Sequence, residues 1–272
     1  MNGGIFITAD GCRLAYDAAG DGSPVLWQHG LGADHNQPAE VFPSLPGICR
    51  ITLECRGHGA SELGDPGRLS IACFVMDALA LLDHLEIDQA VAGGISLGAA
   101  IALRMAALYP SRVSGLILGR PAWVDGPPPE TMAAYLEVAR LLKEFGAVEG
   151  ARQFEMSQTL AAIEAVSPDN AGSLRWFFTR PNPGSTIALL SRIPRDTLGI
   201  SGEMFQQIRI PTLIVGNAQD YVHPLVYAQR LQALLPHAVA RTITSKTVDR
   251  DKYVVEFRHA LAEFLTRLEM LS

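Results

Sequence analysis

The sequence lacks long apolar runs, and it has little positive charge in any one place. Nowhere do eighteen apolar residues follow one another, and the N-terminal stretch MNGGIFITADGCRLAYDAAGDG has no basic segment before an apolar run. We therefore expect a cytoplasmic protein that does not bind a membrane. The 22 Lys and Arg residues are outnumbered by 28 Asp and Glu residues and form no basic cluster. This balance argues against nucleic acid as a partner.

Cysteine is also scarce and has no regular spacing. The four cysteines are Cys12, Cys49, Cys55 and Cys73, and none of them forms a C-x-x-C pair. The sequence therefore predicts reduced thiols rather than a disulfide framework or a zinc site, and it implies no metal and no organic cofactor. With 48% hydrophobic and 18% charged residues, the chain has the composition of a folded protein with a large core.

The hydrophobic pattern alternates between strand-like and helix-like segments. Apolar runs that predict strands include SPVLWQ, ICRITL, QAVAGGIS and RVSGLILG. Between Ser70 and Leu85, apolar residues recur every three or four positions, which predicts a helix with one buried face. Strands that alternate with helices are typical of an α/β protein with a parallel sheet covered on both faces.

This alternation stops near Arg120 and resumes at IPTLIVGNAQD. The intervening residues 121–204 have helical patterns broken by proline and glycine, and they contain no good strand pattern. We therefore predict a core domain formed by residues 1–120 and 205–272, with residues 121–204 inserted as a helical lid, or cap.

A serine lies between glycines where a predicted strand meets a predicted helix. Gly94-Ile95-Ser96-Leu97-Gly98 fits G-x-S-x-G, in which a very tight turn exposes the serine hydroxyl and leaves no room for side chains two residues away. This context favours Ser96 as a nucleophile over an idle serine in a glycine-rich turn.

A second glycine-rich turn, His29-Gly30-Leu31-Gly32, follows the VLWQ strand. A turn with so little side-chain bulk can direct a backbone N–H group at a developing oxyanion, and the residue after the nucleophile supplies a second N–H. We therefore predict an oxyanion hole formed by the amides of Leu31 and Leu97, with His29 shaping the turn and contacting the substrate.

These motifs together resemble those of the α/β-hydrolase superfamily along nearly the whole chain. The matching segments are HGLG, ECRGHGAS with Glu54 where the family has Asp, GISLG, and PTLIVGNAQDYVHP. The resemblance implies a mostly parallel eight-stranded sheet, a lid after the sixth strand, and acyl-transfer chemistry by a Ser, acid and His triad. Asp220 matches the acid, although the segment from Gly216 is one residue longer than the family's usual G-x-x-D.

The family's catalytic histidine is missing from its usual place. That place falls near Lys246 or Thr247, in a segment that contains no histidine. His223 follows Asp220 by three residues and is the favoured relocated base, but it is equally compatible with a residue that lines the pocket or caps a helix. Lys246 is a further candidate, and a chain without any base is the remaining alternative.

The other histidines are weaker candidates. His35 and His58 are interpreted as solvated loop residues, whereas His84, His237 and His259 are predicted to lie on surfaces away from the nucleophile.

Two functions are compatible with these residues. The first is a serine hydrolase that acts on a small, largely apolar ester, thioester, lactone or activated C–C substrate through an acyl-enzyme on Ser96. The alternative is a non-hydrolytic protein of the same fold, a lyase or a ligand-binding protein, that has lost its base. The expected partner is a small-molecule substrate, and homo-oligomer formation stays open. Aromatic residues of the lid are candidates for the pocket wall, with Trp123 as a substrate contact: Trp123, Tyr135, Trp176, Phe177 and Phe178.

Overall fold

The chain forms one sheet of eight strands in the order β1-β2-β4-β3-β5-β6-β7-β8. The computed structural model describes residues 3–269, so the outermost residues of the predicted core, 1–2 and 270–272, lie outside the described part. The strands are β1 (Gly4–Ile7), β2 (Arg13–Gly20), β3 (Ser23–Gln28), β4 (Ile48–Leu53), β5 (Ala90–Ile95), β6 (Val113–Gly119), β7 (Thr212–Asn217) and β8 (Ala238–Ile243). β2 pairs antiparallel with β1 and β4, and all other neighbours pair in parallel. This confirms the predicted fold class.

Helices follow the strands as the alternating pattern predicts. They are α1 (Asn36–Val41), α2 (Ile71–His84), α3 (Leu97–Leu108), α4 (Ala133–Glu155), α5 (Gln158–Val166), α6 (Pro168–Trp176), α7 (Pro183–Arg192), α8 (Gly202–Gln207), α9 (Leu225–Leu234) and α10 (Arg250–Glu269). α2 begins after Ser70, whose hydroxyl accepts a 3.0 Å hydrogen bond from the Cys73 N–H, as expected of a capping serine. The short α1, which contains Pro38, has no periodic signal long enough to predict it.

Two helical layers cover the sheet. α1 and α10 pack on one face, where Trp27 of β3 contacts Phe257 of α10 with ring centroids 6.1 Å apart. α2, α3 and α9 pack on the other face with the helices of the insertion. The strands β4, β5 and β7 are buried along their whole length, as expected for parallel strands covered on both faces. The carboxyl ends of the parallel strands therefore meet at one edge of the sheet, where loops can bring distant residues together.

The segment between β6 and β7 is helical, as the sequence predicts. It contains α4 to α8, with no strand among its described residues, and α4 bends at Gly146. α4 and α7 pack against each other through buried Val138, Leu142, Leu189 and Leu190. α4 and α6 also supply part of a cavity beside β5, so the insertion lies over that edge of the sheet.

None of the helices within residues 3–269 is both long enough and apolar enough to cross a membrane.

Candidate active site

Ser96 lies in a sharp turn between β5 and α3. Its backbone has φ 56° and ψ −108°, a conformation that non-glycine residues seldom adopt. A Cβ atom on Gly98 would lie 2.4 Å from the Gln28 carbonyl oxygen, and one on Gly94 would lie 2.6 Å from the same atom. The two glycines are therefore required by the close approach of β3, which confirms the geometric reason for the G-x-S-x-G spacing. The turn places Ser96 at the wall of a cavity.

His223 lies within hydrogen-bond distance of Ser96. Its Nε2 is 2.8 Å from the Ser96 Oγ, and its Nδ1 is 3.0 Å from Oδ1 of Asp220. The same carboxylate oxygen accepts a 3.0 Å hydrogen bond from the backbone N–H of His223. Asp220 therefore holds both the ring and the main chain of a residue three positions later, and Pro224 follows directly before α9. Serine, histidine and carboxylate form one hydrogen-bonded chain.

Arg120 binds the other oxygen of Asp220. Its Nε donates a 2.6 Å hydrogen bond to Asp220 Oδ2, and both side chains are buried. Burial alone would raise the pKa of the Asp220 carboxyl, but the charge of Arg120 and the contacts with His223 outweigh it and hold that pKa well below its ordinary value. Asp220 is therefore ionised over the whole range in which an imidazole titrates. No sequence motif marks Arg120 as a site residue, although its place at the carboxyl end of the buried strand β6 is a usable signal.

The loop after β8, where the family's histidine usually lies, contacts the insertion instead. The Lys246 ammonium is 3.3 Å from Oδ1 of Asp169, and the Thr247 hydroxyl accepts a 3.1 Å hydrogen bond from the backbone N–H of Asp169. Arg120 reaches the second oxygen of Asp169 at 3.4 Å. Lys246 is thus engaged in an ion pair within the first turn of α6.

The turn that contains Leu31 is held by two histidine rings. The Nε2 atom of His29 accepts a hydrogen bond from the Cys55 N–H at 3.1 Å, and that of His58 accepts one from the Gly32 N–H at 2.9 Å. The Nδ1 atoms lie 2.8 Å and 3.0 Å from backbone carbonyl oxygens, so each ring carries its proton on Nδ1. Both nitrogens of each ring are used, which leaves neither ring free to act as a base.

Both rings are fully buried, and burial lowers the pKa of each below the ordinary value for histidine. The interpretation of His58 as a solvated loop residue is therefore wrong. It lies under the turn of Leu31, in a tilted arrangement with His29 at 4.7 Å between ring centroids. His35, by contrast, is partly exposed and pairs with Glu54 at 2.7 Å. His237 and His259 are exposed, as predicted.

The two predicted oxyanion donors belong to the two turns described above. Leu31 lines the cavity, and Leu97 is the first residue of α3, directly after Ser96. Within residues 3–269, neither backbone N–H donates to another protein group. Both amides therefore keep a hydrogen bond to offer.

The cavity in front of Ser96 and His223 has a volume of about 420 Å³. Apolar side chains from the core and the insertion form much of its wall: Leu31, Ile95, Tyr135, Trp176 and Phe177. Polar side chains also line it: Gln37, Arg120, Asp169, Asn170 and Ser173. Another cavity, of about 280 Å³ between β8 and α10, contains no serine near a base and is not a candidate.

Two predicted substrate contacts do not reach this cavity. Trp123 is buried, and its indole N–H donates a 2.9 Å hydrogen bond to the Asp196 carbonyl in the insertion. His29 is buried beneath the turn of Leu31, where its Nδ1 lies 2.8 Å from the Gly30 carbonyl oxygen. Phe178 packs on Phe154 inside the insertion, 5.6 Å between ring centroids, so it too lies in a core and not in the pocket wall.

Metal ligands and disulfides are not found in the part of the chain that the structure describes. There, no group of three or more His, Cys, Asp or Glu side chains is arranged to hold a metal ion. The four cysteines are free thiols, and Cys55 is a buried residue of the hydrophobic core.

Comparisons with known proteins agree with this architecture. A family model for the alpha/beta hydrolase fold matches residues 23–165. The 2-hydroxymuconate semialdehyde hydrolase of Pseudomonas sp. strain CF600 is 30% identical over 223 residues, which cover 76% of this chain and 78% of that protein. The 3-oxoadipate enol-lactonase 2 of Acinetobacter baylyi is 26% identical over 236 residues, 80% of this chain and 78% of that protein.

Among solved structures, a thermophilic esterase from Thermogutta terrifontis superposes with a TM-score of 0.77 at 21% identity, covering 98% of this chain and 99% of the esterase. That similarity concerns the fold. Together with the matched family model and the 30% identical hydrolase, it confirms the resemblance that the sequence motifs predict. The chain belongs to the α/β-hydrolase family.

Proposed function

We propose that this protein is a serine hydrolase that forms an acyl-enzyme on Ser96, with His223 as the general base and Asp220 as the acid of the triad. The observation that carries this proposal is the continuous hydrogen-bonded chain of Ser96, His223 and Asp220, with 2.8 Å and 3.0 Å between the bonded atoms. Such distances are those required for a base to take the proton of an attacking hydroxyl.

The first half-reaction begins with attack of the Ser96 Oγ on the substrate carbonyl carbon. As the new C–O bond forms, His223 Nε2 takes the hydroxyl proton, and the ionised Asp220 stabilises the resulting imidazolium through the Nδ1–H bond. The carbonyl oxygen becomes negative and accepts hydrogen bonds from the N–H groups of Leu31 and Leu97. Because the histidine rings below it hold the turn of Leu31 rigidly, little reorganisation is needed when this charge develops.

The tetrahedral intermediate then collapses and expels the leaving group. His223 returns its proton to the leaving oxygen, sulfur or carbon, which leaves the acyl group esterified to Ser96. In the second half-reaction, His223 removes a proton from a water molecule that attacks the acyl carbon, and it then protonates the Ser96 oxygen as the acid product departs. Ser96 and His223 thereby return to their starting protonation states.

The substrate class follows from the cavity and the relatives. A volume of about 420 Å³ suits a small molecule, and the aromatic wall of Tyr135, Trp176 and Phe177 suits a largely apolar acyl or leaving group. Two relatives are a semialdehyde hydrolase and an enol-lactonase. These names support the cleavage of an ester, thioester, lactone or activated C–C bond by this protein. The alternative of a non-hydrolytic protein depends on a missing base, and the imidazole 2.8 Å from Ser96 argues against it.

The test combines covalent labelling with ester hydrolysis. We expect a fluorophosphonate probe to label the wild-type protein at Ser96, located by peptide mass spectrometry. His223→Ala should lower both the labelling rate and p-nitrophenyl butyrate turnover by about a hundredfold or more.

His259→Ala is the matched control, because this exposed histidine of α10 contacts no residue of the site. It should hydrolyse the ester at the wild-type rate. Wild-type turnover in His223→Ala would exclude this residue as the base, and absence of label on the wild-type protein would contradict the acyl-enzyme mechanism itself.

A further inference from the structure

The loop that carries Asp220 and His223 is bound by two side chains of the insertion. The Asn170 Oδ1 accepts a 2.9 Å hydrogen bond from the backbone N–H of Val222, and the Thr131 hydroxyl donates a 2.9 Å hydrogen bond to the Val222 carbonyl. Val222 directly precedes His223 and is itself buried. Both backbone polar groups of the residue before the candidate base are therefore held by residues of the insertion.

Asn170 lies in the first turn of α6, and contacts of the preceding residue hold this turn in place. The carboxylate of Asp169 forms ion pairs with Lys246 at 3.3 Å and with Arg120 at 3.4 Å. The backbone N–H of Asp169 donates a 3.1 Å hydrogen bond to the Thr247 hydroxyl. The loop after β8, which holds no histidine in this chain, thus anchors the helix that contacts the relocated histidine's loop. Asn170 is 3% exposed, so its side chain has little freedom to turn away.

We propose that Asn170 and Thr131 are positioning residues that hold the His223 ring at Ser96 by binding the two backbone polar groups of Val222. This inference rests on the proposed function, in which His223 is the base. It makes the helical insertion part of the acid–base machinery, in addition to a cover for the pocket.

The physical reason is the short path between the two hydrogen bonds and the reacting atoms. One peptide unit separates Val222 from His223, so a shift of the Val222 backbone moves the imidazole with little attenuation. A displacement of about 1 Å at a catalytic group can reduce the rate on the order of a hundredfold. The contact between His223 Nε2 and Ser96 Oγ, at 2.8 Å, would then be lost.

The decisive experiment compares Thr131→Val, which removes the hydroxyl and keeps the shape, with Thr131→Ser, which keeps the hydroxyl. We expect Thr131→Val to lower kcat for p-nitrophenyl butyrate and the rate of fluorophosphonate labelling by about tenfold, with KM within about twofold of wild type. Thr131→Ser should restore both rates to near the wild-type values. Asn170→Leu, which leaves the buried Val222 N–H unpaired, should lower both rates by about a hundredfold.

Thr212→Val is the matched control, because the Thr212 hydroxyl also donates to a backbone carbonyl, that of Ile210, at 3.1 Å. Thr212 is the first residue of β7, at the end of the strand away from Asp220 and His223. Loss of its hydroxyl should leave kcat and the labelling rate unchanged. A purely structural role for Thr131 would lower the melting temperature without changing kcat or the labelling rate of the folded enzyme.

Two further controls separate the failure of this inference from the failure of the proposed function. If wild type is labelled and His223→Ala is not, the proposed function stands. Equal labelling rates for wild type and Thr131→Val under those conditions would then overturn the positioning role alone. If His223→Ala is as active as wild type, the proposed base is wrong and this inference falls with it.

Discussion

Replacing Arg120 by methionine should destabilise the protein and displace its activity to higher pH. The side chain of Arg120 is the cation closest to the buried carboxylate of Asp220, with 2.6 Å between Nε and Oδ2. Methionine keeps much of the length and volume of arginine but removes the charge and the hydrogen bonds. The substitution therefore leaves a buried carboxylate whose remaining contacts come from His223.

The expected cost follows from the burial of both partners. Removing one member of a buried ion pair typically costs roughly 3–5 kcal/mol of unfolding free energy at neutral pH, because the other charge remains buried and uncompensated. In the wild-type protein the pKa of Asp220 is depressed, so its contribution to stability is fully present above about pH 4, the ordinary value for an unfolded Asp, and is lost below it. In the variant, burial without Arg120 raises that pKa. The variant then loses stability as pH increases, and the difference from wild type should be larger at pH 8 than at pH 5.

Urea unfolding followed by tryptophan fluorescence at these two pH values measures the difference. A pH profile of ester hydrolysis reports the second effect, because a protonated Asp220 no longer stabilises the imidazolium of His223, and the acid side of the profile should move to higher pH. Arg120→Lys keeps a charge without the planar donor group and should fall between the two proteins. Unfolding free energies that agree within about 0.5 kcal/mol at both pH values would refute this reasoning, since that is the usual effect of a surface substitution.

Two further predictions concern the turn that contains Leu31. Because burial lowers the pKa of both His29 and His58, the unfolded chain takes up protons below about pH 6.5 that the folded chain does not. The unfolding free energy should therefore decrease as the pH falls from about 6.5 to about 5, with a limiting slope of about 1.4 kcal/mol per pH unit for a ring that stays neutral in the folded protein. Urea unfolding across this range checks the slope, and a flat profile would contradict it. Gly32→Ala should cost more than Gly11→Ala, because both glycines have φ above 80° but only at Gly32 would the new Cβ meet a side chain, the Phe177 ring at 2.2 Å. The shared backbone strain is on the order of 1–2 kcal/mol, so equal unfolding free energies for the two variants would exclude the steric conflict with Phe177.

The parts of the molecule that depend on neighbouring residues in the chain could be predicted from the sequence. The strands and helices of the core follow from local hydrophobic periodicity, and α2 is bounded within a residue of its prediction because Ser70 caps it. The turn at Ser96 follows from Gly94 and Gly98, since their spacing is a direct consequence of the backbone contact with β3. The helical character of residues 121–204 was also predictable from the same periodicity.

Side-chain environment is where the sequence analysis was weakest. The position of His58 in a loop after a strand favours a solvated residue, but that loop turns inward beneath Gly32 and buries the ring. As an aromatic residue of the insertion, Trp123 is a candidate for the pocket wall, but its indole N–H donates to the Asp196 carbonyl instead. The aromatic wall comes from Tyr135, Trp176 and Phe177. The outcome at each position depends on how the insertion packs on the core, and no local pattern carries that information.

The succession of strands and helices, the family and the place of the serine follow from the sequence alone, because these depend on periodicity and on steric limits between near neighbours. Which group approaches Ser96 was decided by the tertiary structure, since His223 lies 127 residues away and meets it through the parallel register of β5, β6 and β7. The same is true of Arg120, Asp169 and Asn170. Arg120 follows β6 and contacts both Asp220 and Asp169, and Asn170 of the inserted helix α6 binds Val222 in the loop after β7. A hydrogen bond requires its donor and acceptor atoms to be positioned within a few tenths of an ångström. In this chain the packing of the loops and the insertion on the sheet determines those positions.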